Sequence, residues 1–139
     1  MRRAFYEAIR SRLLESEALC GVIKHVDLWN RNVEFIEEDV PWERPAVFVE
    51  FRPIKWSVLM GGLDYRALGE LVLHVVTDWN GQGDDLSALD LSEQIHGVLQ
   101  GLEGTDFGSL TLVESDTNHD HEEIVENVEV YSFKAVRRL

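Results

Sequence analysis

The sequence has a single cysteine, no long apolar run, and not one lysine or arginine across the 67 residues from 67 to 133. Each absence excludes something. One thiol, Cys20, excludes an intrachain disulfide and any cysteine-rich zinc site. Nothing approaches the ~20 apolar residues of a membrane-spanning helix. Met1-Arg2-Arg3 leads into a charged amphipathic stretch rather than a signal peptide, so a reducing, intracellular setting with no membrane partner is expected. What remains is ordinary for a globular protein: 139 residues, 45% apolar and 28% charged. That length fits one domain spanning 1–139, able to bury roughly two-thirds of its unfolded surface without a disulfide or metal.

The net charge of −13 is unevenly placed. The segment without bases holds 15 of the 26 acids, which leaves 11 acids against all 13 bases in the rest of the chain. Both ends are basic, through Arg2, Arg3, Arg10 and Arg12 at the start and Lys134, Arg137 and Arg138 at the finish. An acidic field opposes nucleic-acid binding, which needs cations to displace phosphate counterions. It suits solubility, cation binding, or a surface that repels a polyanion. Few of these acids can find an ion-pair partner within the chain.

Hydrophobic spacing organises the chain. Phe5, Ala8, Ile9 and Leu13 fall on one stripe, which predicts a helix from about Arg3 to Leu19, stopped by a left-handed Gly21. Cys20 at its end reads as a small buried hydrophobe. Val22 to Leu28 reads as a brief strand. A loop at about 30–45 follows, acidic, bearing Pro41 and Pro45, and longer than most connections in a compact domain. Ala46 to Phe51 is a strand by composition, with an extension over Trp56 to Met60. The turn Gly61-Gly62 joins it to a strand from Leu63 to Thr77. Leu91, Ile95, Val98, Leu99 and Leu102 predict a helix from about Leu86 to Gln100, with Ser87 and Asp90 as a capping box. The end is a hairpin: Ser109 to Glu114, a polar loop over Ser115 to Glu122, and a strand from Ile124 to Val136. The order α-ββ-α-ββ predicts an α+β fold, a single antiparallel sheet built from two β-hairpins with two helices on one face.

No constellation amounts to an active site. Asp116, His119 and His121 are weak metal candidates, because a His-x-His pair on extended chain presents both rings to one side. A solvated polar loop explains them more simply, and no cofactor is expected. Asn80-Gly81-Gln82-Gly83 lacks both the third glycine of a dinucleotide motif and the Gly-Lys-Ser/Thr of a P-loop. His74, inside the most apolar strand, reads as a satisfied histidine. Trp29 and Trp42 bracket the long loop, which also holds Phe35 and Ile36. Exposed aromatics there suit a protein–protein contact.

The layout resembles the tail completion, or tail terminator, proteins of long-tailed bacteriophages. The N-terminal amphipathic helix, the strand Arg44-Pro-Ala-Val-Phe-Val-Glu50, the long strand Glu70 to Trp79, the helix Ala88 to Leu99 and the final hairpin Val113 to Phe133 follow that family's order. The resemblance implies a non-enzymatic ring, commonly a hexamer, that ends the tail tube and joins it to the head connector. It implies assembly in the host cytoplasm and residence in the virion. On that reading Asp84, Asp85, Glu114, Asp116, Asp120, Glu122 and Glu123 line an acidic channel through which DNA passes without specific binding. Arg2, Arg3, Arg137 and Arg138 pair with acids of neighbouring subunits. Three alternatives stand beside it: another head–tail connector or minor tail protein, an acidic monomeric module binding a basic protein, and a small metal-dependent enzyme using the His-Asp-His loop.

Overall fold

In the computed structural model, which describes residues 1–30, 42–79, 86–118 and 123–138, the stripe of Phe5, Ile9 and Leu13 becomes helix α1, Arg2–Glu15. All three side chains are fully buried. The helix ends before Leu19 because Ser16 adopts extended backbone (φ −66°, ψ 145°). A turn then reaches Gly21, whose φ of +79° is the left-handed conformation expected there. Within that turn Leu19 points inward and Cys20 outward, so Cys20 is exposed rather than buried.

Six strands and a second helix follow: β1 His25–Leu28, β2 Ala46–Phe51, β3 Ser57–Leu59, β4 Asp64–Asp78, α2 Ser87–Leu99, β5 Phe107–Asn118 and β6 Ile124–Arg138. They form one sheet in the order β1-β2-β4-β6-β5, with β3 paired to the start of β4. The α+β class and element order are as expected. One pairing differs: β1 runs parallel to β2, so the sheet is mixed rather than wholly antiparallel. Parallel neighbours need a long connection, and the chain between Leu28 and Ala46 is long enough to bring it back. The β3–β4 hairpin turns at Gly61 and Gly62, both at positive φ, as the Gly-Gly pair predicts.

The last hairpin is longer than its apolar residues suggest. β5 continues to Asn118, through residues expected to lie in a polar loop. Its residues there are polar, and Ser115 and Thr117 meet polar cross-strand partners. Ser115 donates a hydrogen bond to Glu129, and the Thr117 hydroxyl donates to Asn127 Oδ1 at 2.8 Å. Asn127 in turn donates to the Ala88 carbonyl and the Ser92 hydroxyl, tying α2 to β6. Leu86 occupies the N-cap position of α2, so Ser87 is the first helical residue rather than the expected cap.

Both helices cover one face of the sheet. The core there joins Phe5, Ile9 and Leu13 of α1 and Leu91, Ile95 and Leu99 of α2 to alternating residues of the strands, among them Val49, Leu73, Tyr131 and Phe133. Arg12 of α1 donates to the Val98 carbonyl at 3.0 Å and so ties the two helices together. The opposite face carries a smaller core of Trp42, Ala46, Phe48, Val76 and Ile124, with Trp29 packed against it.

Candidate interaction surfaces

On that helix-free face, register puts Phe48 of β2, His74 of β4 and Val128 of β6 in one row. Glu50 and Glu126 stand on the same face, one pleat away on either side. His74 Nδ1 lies 2.6 Å from Glu126 Oε2, and Nε2 lies 2.7 Å from Glu50 Oε1. An imidazole carries at least one N–H, so at least one of the two contacts is an N–H donated to a carboxylate oxygen. Trp29 stacks flat on the ring, centroids 3.6 Å apart and planes within 5°. Stacking and the two polar contacts satisfy an imidazole that is otherwise costly so near the core. Both ring nitrogens are taken by carboxylates, so His74 has no lone pair for a metal ion. Among the described residues no group of three or more His, Cys, Asp or Glu side chains is placed to hold one. His74 is thus the satisfied histidine expected. Its partners are the surprise, and the acids at Glu50 and Glu126, set among apolar strand residues, were the signal for them.

The ladder also sorts charge. β4 begins near Arg66 and ends in Asp78, while β6 begins with Glu123 before it and ends in Lys134, Arg137 and Arg138. Antiparallel pairing lays basic end on basic end: Asp64 faces Arg138, and Leu68 faces Lys134. At the other end Val76 faces Glu126 and Asp78 faces Ile124. The two ends of the paired 15-residue strands lie about 45 Å apart at ~3.3 Å per residue.

At the basic end, Lys55, Arg66 and Lys134 line an open groove of about 560 Å³ around Leu68, which is 76% exposed. A second cavity of about 740 Å³ is lined by Arg2, Arg52, Arg137 and Arg138 together with Phe51, Ile54 and Trp56. Arg52 there pairs with Glu70 at 3.1 Å. The β3–β4 hairpin adds the exposed apolar side chains Val58, Leu59 and Leu63. At the acidic end, Asp78 and Asp90 border a groove of about 420 Å³, where Arg44 is ion-paired with Asp78. Trp79, Leu86 and Leu89 are exposed beside it, and the Trp79 amide donates to the Glu123 carbonyl at 2.9 Å.

The sequence-derived interface residues separate accordingly. Trp29 is half-buried over His74, and Trp42 is buried edge-on against Phe48 at 5.0 Å. Arg2, Arg137 and Arg138 converge on one cavity, whereas Arg3 is exposed on α1 and pairs with Glu7. Glu114, Asp116 and Glu123 are exposed, the first two on edge strand β5. Phe35, Ile36, Asp84, Asp85, His119, Asp120, His121 and Glu122 lie outside the described residues. Arg52, Lys55 and Arg66 had drawn no attention in the sequence, although a hairpin across Gly61-Gly62 already places Lys55 near Arg66.

No protein-family model matches the sequence, and no curated protein matches it. The fold is similar to that of a solved chain described as "Virion of native gene transfer agent (GTA) particle", with a TM-score of 0.63. The match covers 95% of this chain and 94% of that one at 14% sequence identity. The likeness is one of fold.

Proposed function

We propose that this chain is a non-enzymatic structural protein of a phage-like particle. Its specific role on this reading is that of a tail terminator: a ring, six-membered in the simplest form, that closes the tail tube and offers a docking surface to the head connector. The observation that carries the proposal is the end-to-end fold similarity to a chain from a gene transfer agent virion. The family resemblance in the order of elements points the same way. The segregated charge fits it too, since a ring needs two complementary surfaces on one subunit. In the ring, Glu114 and Asp116 face the channel and repel passing DNA over the ~8–10 Å that salt allows. The protein then assembles in the host cytoplasm and ends in the virion.

Light scattering across protein and salt concentrations tests this, with electron microscopy of the same samples. A ring with a mass near six times 16.0 kDa, seated on tube ends when tail tubes are added, is the expected result. A monomer at every concentration that leaves tube length unchanged overturns it. A ring that binds away from the tube end moves the role to another connector or minor tail protein.

A further inference from the structure

The two poles of the sheet are complementary in shape of chemistry as well as in sign. The basic pole presents Leu68 within a rim of Lys55, Arg66 and Lys134. The acidic pole presents Trp79 and Leu89 beside Asp90 and Glu123, all exposed. Exposed large apolar side chains are costly in a monomer unless scattered, and here they gather at the two ends of the strands. An apolar centre with a charged rim is the anatomy of a protein interface.

We propose that copies of this chain join head to tail, the basic pole of one subunit seating on the acidic pole of the next. The proposal rests on the ring reading above and specifies its contact. Charge complementarity selects a second copy as the occupant. Two basic poles, or two acidic poles, set like charges against each other, so a two-fold symmetric dimer through either pole is disfavoured. A pole-to-pole contact leaves one free pole at each end, so it propagates, and it stops only by closing into a ring. The acidic charge that finds few partners within a subunit thereby finds them in its neighbour.

Charge reversal tests the contact. One variant carries Arg66→Glu and Lys134→Glu, and the other carries Asp90→Lys and Glu123→Lys. Melting curves establish that each is folded; where a reversal lowers the melting temperature, Arg66→Gln with Lys134→Gln gives the same direction at smaller size. By light scattering, the wild-type chain is expected to self-associate, more weakly as salt rises. Each variant alone should associate at least about tenfold more weakly. Mixed one to one, the two variants should recover assembly in alternating order, because both new junctions pair opposite charges. Wild-type rings that persist in both variants overturn the pole-to-pole contact and leave the ring standing. A wild-type chain that stays monomeric, even with tail tubes, overturns both. Retention of duplex DNA by a monomeric wild type, lost in Arg66→Glu/Lys134→Glu, makes the basic pole a polyanion site instead and overturns the proposal.

Discussion

His74 holds the carboxylate of Glu126 at 2.6 Å in a place where Glu126 is only 2% exposed. Asn118 Nδ2 donates to the other oxygen of that carboxylate at 3.0 Å, so the charge is fixed from two sides. Removing the ring leaves the buried Glu126 carboxyl without one of its hydrogen-bond partners, and leaving a buried polar group short of a partner costs about 1–3 kcal/mol. His74→Ala should therefore lower the unfolding free energy by at least about 1 kcal/mol, read as a lower urea midpoint with an unchanged denaturant slope. Replacing both members, His74→Leu with Glu126→Leu, should recover much of it. A single variant as stable as wild type would show that Glu126 is not held by His74.

A different constraint sits at Gly69. It faces Phe133 across the β4–β6 ladder, and a Cβ added at 69 would stand 2.5 Å from the ring. The ring belongs to a tight aromatic group: Phe133 meets Phe5 edge-on at 4.9 Å, and Phe5 stacks on Phe107 at 4.2 Å. Phe133 thus has little room to retreat. Gly69→Ala should destabilise by about 1–3 kcal/mol, the cost of overpacking. Gly69→Ala combined with Phe133→Leu should lose less than the two single changes added together. Strict additivity in denaturant unfolding would count against the clash.

The helices and the central strands were legible because their apolar spacing answers to one covered face. Phe5, Ile9 and Leu13 or Leu91, Ile95 and Leu99 announce themselves at helical period. The end of β5 was not legible, because Ser115 and Thr117 are held by polar partners that only the register supplies. The parallel pairing of β1 was hidden for a related reason: four residues carry too little pattern to choose a neighbour or a direction. The charge gap from 67 to 133 was plain. Its meaning was not, since antiparallel pairing is what brings Arg66 and Lys134, the cations on either side of that gap, to one end of one face. The trio Glu50–His74–Glu126 joins three strands, and no spacing within one segment could show it.

The weak metal candidates give a separate prediction. Asp116 is exposed on β5, where its neighbour in register is the apolar Val128. A metal site needs several ligands held by supporting hydrogen bonds on a rigid frame. Metal analysis of purified protein should find well below one equivalent of zinc, manganese or iron. His119→Ala with His121→Ala should leave the melting temperature and the assembly state unchanged. Stoichiometric metal that this double variant loses would return the metal-dependent enzyme to consideration.

Tyr131 makes the pH dependence specific. Its side chain is fully buried, and its hydroxyl has no hydrogen-bond partner among the described residues. Burial pushes its ionisation well above the ordinary 10.0, and the nearby Glu129 charge pushes in the same direction. In the unfolded chain the phenol loses its proton near pH 10, while the folded chain still holds it. The native state then binds more protons than the unfolded one, so stability is intact below pH 10 and falls as pH rises beyond it. Tyr6 is raised as well, by burial first and then by Asp27, with Arg10 opposing, so it adds a smaller slope of the same sign. Tyr131→Phe isolates the larger effect. At pH 7 the variant should match wild type or exceed it by about 1 kcal/mol, because an unbonded buried hydroxyl is removed. Between pH 9 and 11 the advantage should widen by about 1.4 kcal/mol for each pH unit above 10. Urea unfolding of both proteins at pH 7, 9, 10 and 11 reads this directly. Parallel pH profiles would mean that the Tyr131 hydroxyl reaches a partner or solvent in the folded chain.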